Sequence, residues 1–358
     1  MKKYIFFFAA AALSLAACSK NEVTPAFSDE KAEITFNVAP KTKALSSTQS
    51  DFSHDNVFTS FAYYLAPGKT WDADFASSQL YIDNSEISYV GELWKNKTTT
   101  YYWPKDGGSL TFFAYSLNKD NRDFGGNSGM GCSFTAASDG TFTGGINGGF
   151  DVQTNKNVDF LVAEIAKDKN ANEQTYAHTG VPTLFRHKLS LVSVTAKLQE
   201  HYIGKTFTIN DIKFTKISHF GEYNQIPESI VQNSGSTKID QIYAENAAFV
   251  VPETRGEVPC IIKNAAGNKT DDGQYIYLPQ TFDDDDMLIE IRYTVRTSVG
   301  TSTVEEECVS KTKIKDIFPK WEIGKKYILD LTFSLNEIHW DPAVEDWKTE
   351  THGSITIE

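Results

Sequence analysis

Cysteine is scarce in this chain, with four residues in 358, at positions 18, 132, 260 and 308, and no Cys-x-x-Cys among them. A dense disulfide framework and a zinc ribbon are thereby excluded. Cys260 and Cys308 could pair if the fold brings them together, or all three downstream thiols could be small buried hydrophobes; both readings stay open. The seven histidines never fall at the three-to-five-residue spacing that metal-binding helices and fingers use. Basic runs are also missing. Lys and Arg number 34 against 47 Asp and Glu, a formal charge of -13, and without a concentrated basic patch such a surface repels nucleic acid. No Gly-x-Ser-x-Gly elbow is present for acyl transfer. The glycine-rich stretch 119–151 carries no Gly-Lys-Ser/Thr, so it predicts hairpin turns and a long loop rather than a phosphate cradle. No cofactor is implied.

The one long apolar run stands at the start. Lys2 and Lys3 precede Ile5, Phe6, Phe7, Phe8 and an alanine-rich segment that ends in Leu15, Ala16, Ala17 and Cys18. The run is too short to span a bilayer and has the form of a removable signal, with a small-residue cleavage site directly before a cysteine. Residues 1–17 are therefore predicted to leave, and Cys18 to be acylated. Several acyl chains, at about 0.8 kcal/mol per buried methylene, hold a protein on a membrane far better than one. Loss of Lys2 and Lys3 takes the formal charge from -13 to -15. Residues 18–31 are polar and contain Pro25, which suits a flexible tether.

Downstream, the pattern is that of strands. Ile34, Phe36 and Val38 alternate with Thr35 and Asn37 across residues 32–40, the period of two expected where one sheet face is buried. Segments 58–65, 99–103 and 110–115 are rich in aromatic and β-branched residues and are bounded by turn formers. Around residues 167–180 the composition turns polar, and strongly alternating strands resume after it. In 189–198, Val192, Val194, Ala196 and Leu198 are expected to be buried, with Ser193, Thr195 and Lys197 on a wet face. Segments 206–214, 288–295 and 327–335 repeat the pattern. About 340 mature residues exceed what one core usually serves. The prediction is an all-β chain of two tandem antiparallel β-sandwich domains, 32–180 and 181–358.

Phrases in a fixed order add a family resemblance. After the lipobox come ITFNVAPKTKA, YYWPKDGGSLTFFAYS, DFLVAE, VPTLFRHKLSLVSV, YIYLPQ, WEIGKKYILDLTF and IHWDPAVEDW. Taken together they resemble the fimbrillin-like proteins of Bacteroidetes, the major and minor fimbrial subunits and related lipoprotein precursors. The resemblance implies transthyretin-like sandwiches, lipid anchoring at the outer membrane, and assembly with other fimbrial subunits into surface fimbriae that contact a host or bacterial receptor. It also implies that the first strand, here 32–40 with Ile34, Phe36 and Val38, fills a groove until a protease cuts after a basic residue. That residue would be Lys41 or Lys43. Lys43 stands where the family usually has arginine, so an uncut anchor subunit and a lysine-tolerant protease both fit, as does a plain solvated loop. The alternating Ile355 and Ile357 of the tail are either a donated strand or a last edge strand.

Other chemistry has blander explanations. Asp72 with Asp74, Asp271 with Asp272, and Asp283 to Asp286 are expected to be solvated turns, because no glycine and distal glutamate follow at calcium-loop spacing. His187 is expected to be a packed structural histidine. Trp71, Trp94, Tyr101, Tyr102 and Trp103 could stack on sugars, which makes a surface glycan-binding lipoprotein the alternative function, but a sandwich core uses such rings readily. Metabolic labelling with palmitate is expected to mark the wild-type chain and leave Cys18→Ser unlabelled and in the soluble fraction. A labelled Cys18→Ser protein would remove the lipobox reading.

Overall fold

The computed structural model describes residues 32–38, 52–117, 129–153, 158–171, 180–232, 238–253 and 275–347. Cys18, Lys41, Lys43, Cys260, Ile355 and Ile357 lie outside them. Wherever β-branched and aromatic residues alternate, the described chain is extended. Strands β1 (Phe36–Val38), β2 (Val57–Leu65), β3 (Gln79–Val90), β4 (Leu93–Asn96), β5 (Ser109–Ser116) and β6 (Gly131–Ala136) come first. They are followed by β7 (Phe142–Asp151), β8 (Leu161–Ala163), β9 (Ala166–Lys169), β10 (Val181–Thr183) and β11 (Phe185–His187). Then come β12 (Ser190–Leu198), β13 (Lys205–Ser218), β14 (Phe220–Ile226), β15 (Ser229–Val231), β16 (Lys238–Ala244), β17 (Phe249–Val250) and β18 (Tyr275–Tyr277). The last are β19 (Gln280–Thr281), β20 (Leu288–Val299), β21 (Ser302–Lys313), β22 (Lys320–Trp321), β23 (Lys325–Phe333) and β24 (Ile338–Asp346). Helix is confined to short turns such as Trp71–Asp74 and Ile314–Ile317 among the described residues. The fold is all-β, as the sequence predicts.

The largest sheet runs β10-β1-β4-β3-β2-β5-β8-β11, with β9 also on β5. Its two end strands are consecutive in the chain, separated only by Leu184. Three residues span at most about 10 Å, so the sheet must curl until its ends meet. Each of its strands sends a side chain into one enclosed core, which includes Ile34, Phe36, Phe58, Ile87, Trp94, Phe112, Leu161, Val181 and Phe185. The opposite face of β2 and β5 carries Phe61, Leu65, Phe113 and Tyr115, which pack with Ile146, Phe150 and Tyr223 of a second sheet, β15-β14-β7-β6. Gln225 ties the layers together: its Oε1 accepts the Ile146 amide (2.9 Å) and its Nε2 donates to the Ala163 carbonyl (3.0 Å).

A further sandwich pairs β18-β12-β23-β24 with β16-β13-β20-β21 around Val192, Val194, Ile209, Phe214, Ile291, Leu329 and Phe333. Tyr243 and Tyr327 bury their rings there and accept the amides of Val194 (2.9 Å) and Glu322 (2.7 Å) through their hydroxyls. Sheet pairing crosses residue 180, because β10, β11, β14 and β15 join sheets whose other strands come from the first half of the chain.

Three local expectations differ from the structure. Residues 99–103 form no strand beyond a bridge of Tyr102 with Glu33, since the Asn96 side chain takes the amides of Thr98 (2.9 Å) and Thr99 (2.5 Å) and bends the chain. Part of the glycine-rich stretch is strand: β7 runs against β6, and Gly144, at φ +112°, brings its backbone so close that a Cβ would lie 2.3 Å from the Ser133 carbonyl oxygen. Ser193 and Thr195, expected on a wet face, are 2% and 8% exposed. Thr195 finds its partner in Asp330, directly across the parallel ladder to β23. Leu329→Ala, fully buried in the core between the β12 and β13 sheets, is expected to cost about 2–5 kcal/mol in denaturant unfolding, and Val309→Ala on exposed β21 less than about 0.5 kcal/mol.

Candidate functional site

The first strand enters the curled sheet as an internal member. β1 pairs with β4 in antiparallel fashion (Phe36 with Trp94) and with β10 in parallel (Phe36 with Val181, Asn37 with Pro182, Val38 with Thr183). Just before it, the Ile34 amide donates to the Tyr101 carbonyl (2.8 Å) and the Trp103 amide donates to the Ala32 carbonyl (3.0 Å). On the other flank the Val181 amide donates to the Thr35 carbonyl (2.7 Å). The segment is therefore held by backbone bonds on both sides.

Its alternate side chains point into the core. Ile34 and Phe36 are 3% and 4% exposed, and Val38 is half-buried against the same cluster. The Phe36 ring meets Phe58 (5.4 Å) and Phe112 (5.7 Å) edge to face, the preferred geometry for such pairs. Phe58 in turn meets Trp94 and Phe185. Phe52 stacks on Phe185 at 4.6 Å, so the first described residue after the 39–51 gap already lies on the same cluster. The three candidate residues Ile34, Phe36 and Val38 are thus brought together on one groove. Lys41 and Lys43 follow directly in the sequence.

The close approach to β1 on this flank rests on a backbone feature that alternation could not reveal. Gly180, at φ +87°, lies against the β1 main chain, and a Cβ there would fall 2.7 Å from the Phe36 carbonyl carbon and 2.9 Å from Thr35. Glycine supplies both the left-handed conformation and the close approach. A Gly directly before a short apolar strand was the only sequence signal of it.

The other candidate residues have structural surroundings. His187 is 1% exposed, bonds Asp159 through Nδ1 (3.1 Å) and stacks on Trp347 at 4.0 Å. Trp71, Trp94, Trp103, Trp321 and Trp347 are buried, and Trp340 packs partly against the second core, so the tryptophans present no exposed coplanar platform. Asp284 pairs with Lys238 (2.9 Å), Asp285 with Lys313 (3.1 Å) and Lys315 (2.5 Å), and Asp286 with Lys216 (2.5 Å). Hydrogen bonds from Lys238 and from Lys315 with Lys313 hold the carboxyls of Asp284 and Asp285 below the usual range. Among the described residues no three His, Cys, Asp or Glu side chains converge as metal ligands. Burial pushes the Cys132 thiol up to about 12, which leaves it unreactive at neutral pH.

Phe36→Ala in the uncut chain is expected to lower stability by about 3–5 kcal/mol, measured by denaturant titration. A cost below about 1 kcal/mol would show that the groove does not depend on its resident strand.

A family model described as fimbrillin-like matches residues 42–347, a stretch that begins just beyond β1. No curated protein sequence matches the chain. Among solved structures, a fimbrial protein from Bacteroides vulgatus ATCC 8482 aligns with a TM-score of 0.59 at 16% identity, covering 88% of this chain and 99% of its own. A candidate cell adhesion protein from Bacteroides ovatus ATCC 8483 aligns at 0.46 and 17% identity (90% and 99%). The C-terminally truncated tip fimbrial protein Mfa3 from Porphyromonas gingivalis aligns at 0.37 and 10% identity (89% and 100%). The first of these shows a shared fold.

Proposed function

The chain belongs to the fimbrillin-like family, and from that premise we propose that it is a subunit or accessory protein of a surface fimbrium, built by replacement of its own first strand. In this reading the precursor is exported, held at the outer membrane through acylated Cys18, and cut after Lys41 or Lys43. The cut frees β1 from the body of the protein. The vacated groove then takes an extended segment of another subunit, and the lipid stays with the released N-terminal piece.

The observation that supports this reading is the placement of Ile34 and Phe36. Both are buried inside a sheet, between β4 and β10, yet the segment carrying them is joined covalently to the rest of the body only through residues 39–51. Large apolar side chains contribute about 1.5–3 kcal/mol each when fully buried. Emptying the slot exposes their contacts and leaves β4 and β10 with unpaired backbone groups, a template for a new strand. The tail of the chain carries Ile355 and Ile357 about Thr356, the spacing that Ile34 and Phe36 have about Thr35. A tail of a second copy therefore suits the slot, and a chain that stays uncut at Lys43 would serve as an anchor. The glycan-binding alternative gains no support from the buried tryptophans.

Limited trypsin treatment of the purified precursor, followed by sequencing of the new N-terminus and size analysis, tests the reading. Cleavage at 41–43 is expected, with higher oligomers growing as the released piece is lost. A protein cut there that remains monomeric at high concentration and accepts no donor peptide would overturn it.

A further inference from the structure

The slot left by β1 lies between β4 and β10. Removing one strand leaves its neighbours two interstrand spacings apart, about 9.6 Å, which is room for one strand and too far for them to bond each other. The two walls of the slot differ. β4 is antiparallel to the occupant and β10 is parallel to it. An occupant in the opposite direction would have to be parallel to β4 and antiparallel to β10, with evenly spaced slanted bonds exchanged for alternating close and wide pairs on each flank.

β10 is three residues long and sharply restricted. The Val181 amide points at the occupant, donating to Thr35. Successive strand residues point their amides to opposite sides, so the ring nitrogen of Pro182, which has no hydrogen, lies on the outer edge away from β1. Thr183 folds its hydroxyl back onto the Val181 carbonyl (3.0 Å). Proline on that outer edge withholds the donor that an added strand would need. On the inner side, the atoms nearest to a Cβ placed on Gly180 are backbone atoms of the occupant, at Thr35 and Phe36.

Resting on the strand-replacement reading, we propose that residues 180–183 are the specificity element of the groove. They admit an incoming strand of a second subunit only in the direction of β1, with an aliphatic side chain at the Ile34 position and an aromatic ring at the Phe36 position, and they refuse addition at the outer edge. Gly180 and Val181 set direction and register; Pro182 confines entry to the slot. An extended segment with isoleucine and phenylalanine in the order of Ile34 and Phe36 fits; in the reversed sequence the ring reaches Phe58 and Phe112 only if the backbone runs against the direction of β1.

The test uses the full-length chain with a site-specific protease sequence in place of residues 41–44. After cutting, labelled peptides AEITFNVAP and its reversal PAVNFTIEA, equal in composition, compete with the resident strand. The forward peptide is expected to exchange in at a concentration at least tenfold lower than the reversed one, and the uncut protein is expected to bind neither. In the cut Gly180→Ala chain the forward-to-reversed ratio is expected to fall towards one, because the added Cβ pushes the occupant off β10. A purely structural loss would weaken both peptides alike and keep the ratio. Equal entry of both peptides into the wild-type slot, binding by the uncut protein, or an unchanged ratio in Gly180→Ala would overturn the specificity element while leaving strand replacement intact. Entry of neither peptide would overturn strand replacement itself, and the specificity element with it.

Discussion

A sheet whose two end strands are joined by one residue has to close on itself, and the first half of this protein is organised by that closure. β10 and β11 flank Leu184, so the curl has no freedom to open as a flat sheet would. The core inside it is aromatic, with Phe36, Phe58, Phe112, Trp94 and Phe185 in edge-to-face or stacked contact. β1 completes the circuit between β4 and β10. With β1 in place the facing edges of β4 and β10 are both paired, and the outer edge of β10 that remains carries Pro182, which offers no backbone donor to another chain. The strand that fills the slot between β4 and β10 is also the first of the described strands in the chain.

The two halves are joined through packing rather than a linker. Leu189, Leu191, Ile276, Leu278 and Trp347 reach into the core formed by Phe61, Phe113, Phe150 and Phe160. Lys188, buried, pairs with Glu228 at 2.5 Å, and the Tyr223 hydroxyl donates to the same carboxylate at 3.1 Å. The penalty for burying an ammonium is offset only by such a partner, which makes the pair more a fixer of geometry than a source of stability. Residues 185–190 thus run from the first sheet through the junction to β12. Trp347 stacks on His187 and donates its amide to the Gly324 carbonyl (2.9 Å), which fixes where the C-terminal tail departs.

Much of the framework was legible in the chain. Aromatic and β-branched composition in 58–65 and 110–115 marked β2 and β5, and alternation in 206–214, 288–295 and 327–335 marked β13, β20 and β23, because a half-buried strand must alternate. The failures share a cause. Residues 99–103 have strand composition, yet the Asn96 side chain captured the amides of Thr98 and Thr99 at the entry to the segment. Ser193 and Thr195 are polar, yet both are buried, and the ladder to β23 supplied Thr195 with a partner in Asp330. Period and propensity describe what a segment prefers in isolation; capture and pairing depend on which neighbour arrives.

Strand patterning, charge and the lipobox by themselves gave the all-β class, an acidic chain without basic runs and the expectation of acylation at Cys18, since these follow from residue chemistry and local order alone. The alternation of Ile34, Phe36 and Val38 also marked the first strand as half-buried. Only the tertiary structure decided that this strand sits inside a curled sheet rather than at its rim, parallel to one neighbour and antiparallel to the other, with Gly180 pressed against its backbone. The reason is physical: strand order and direction are set by contacts between segments some 60 to 150 residues apart, and no local pattern encodes which two edges will close around a third.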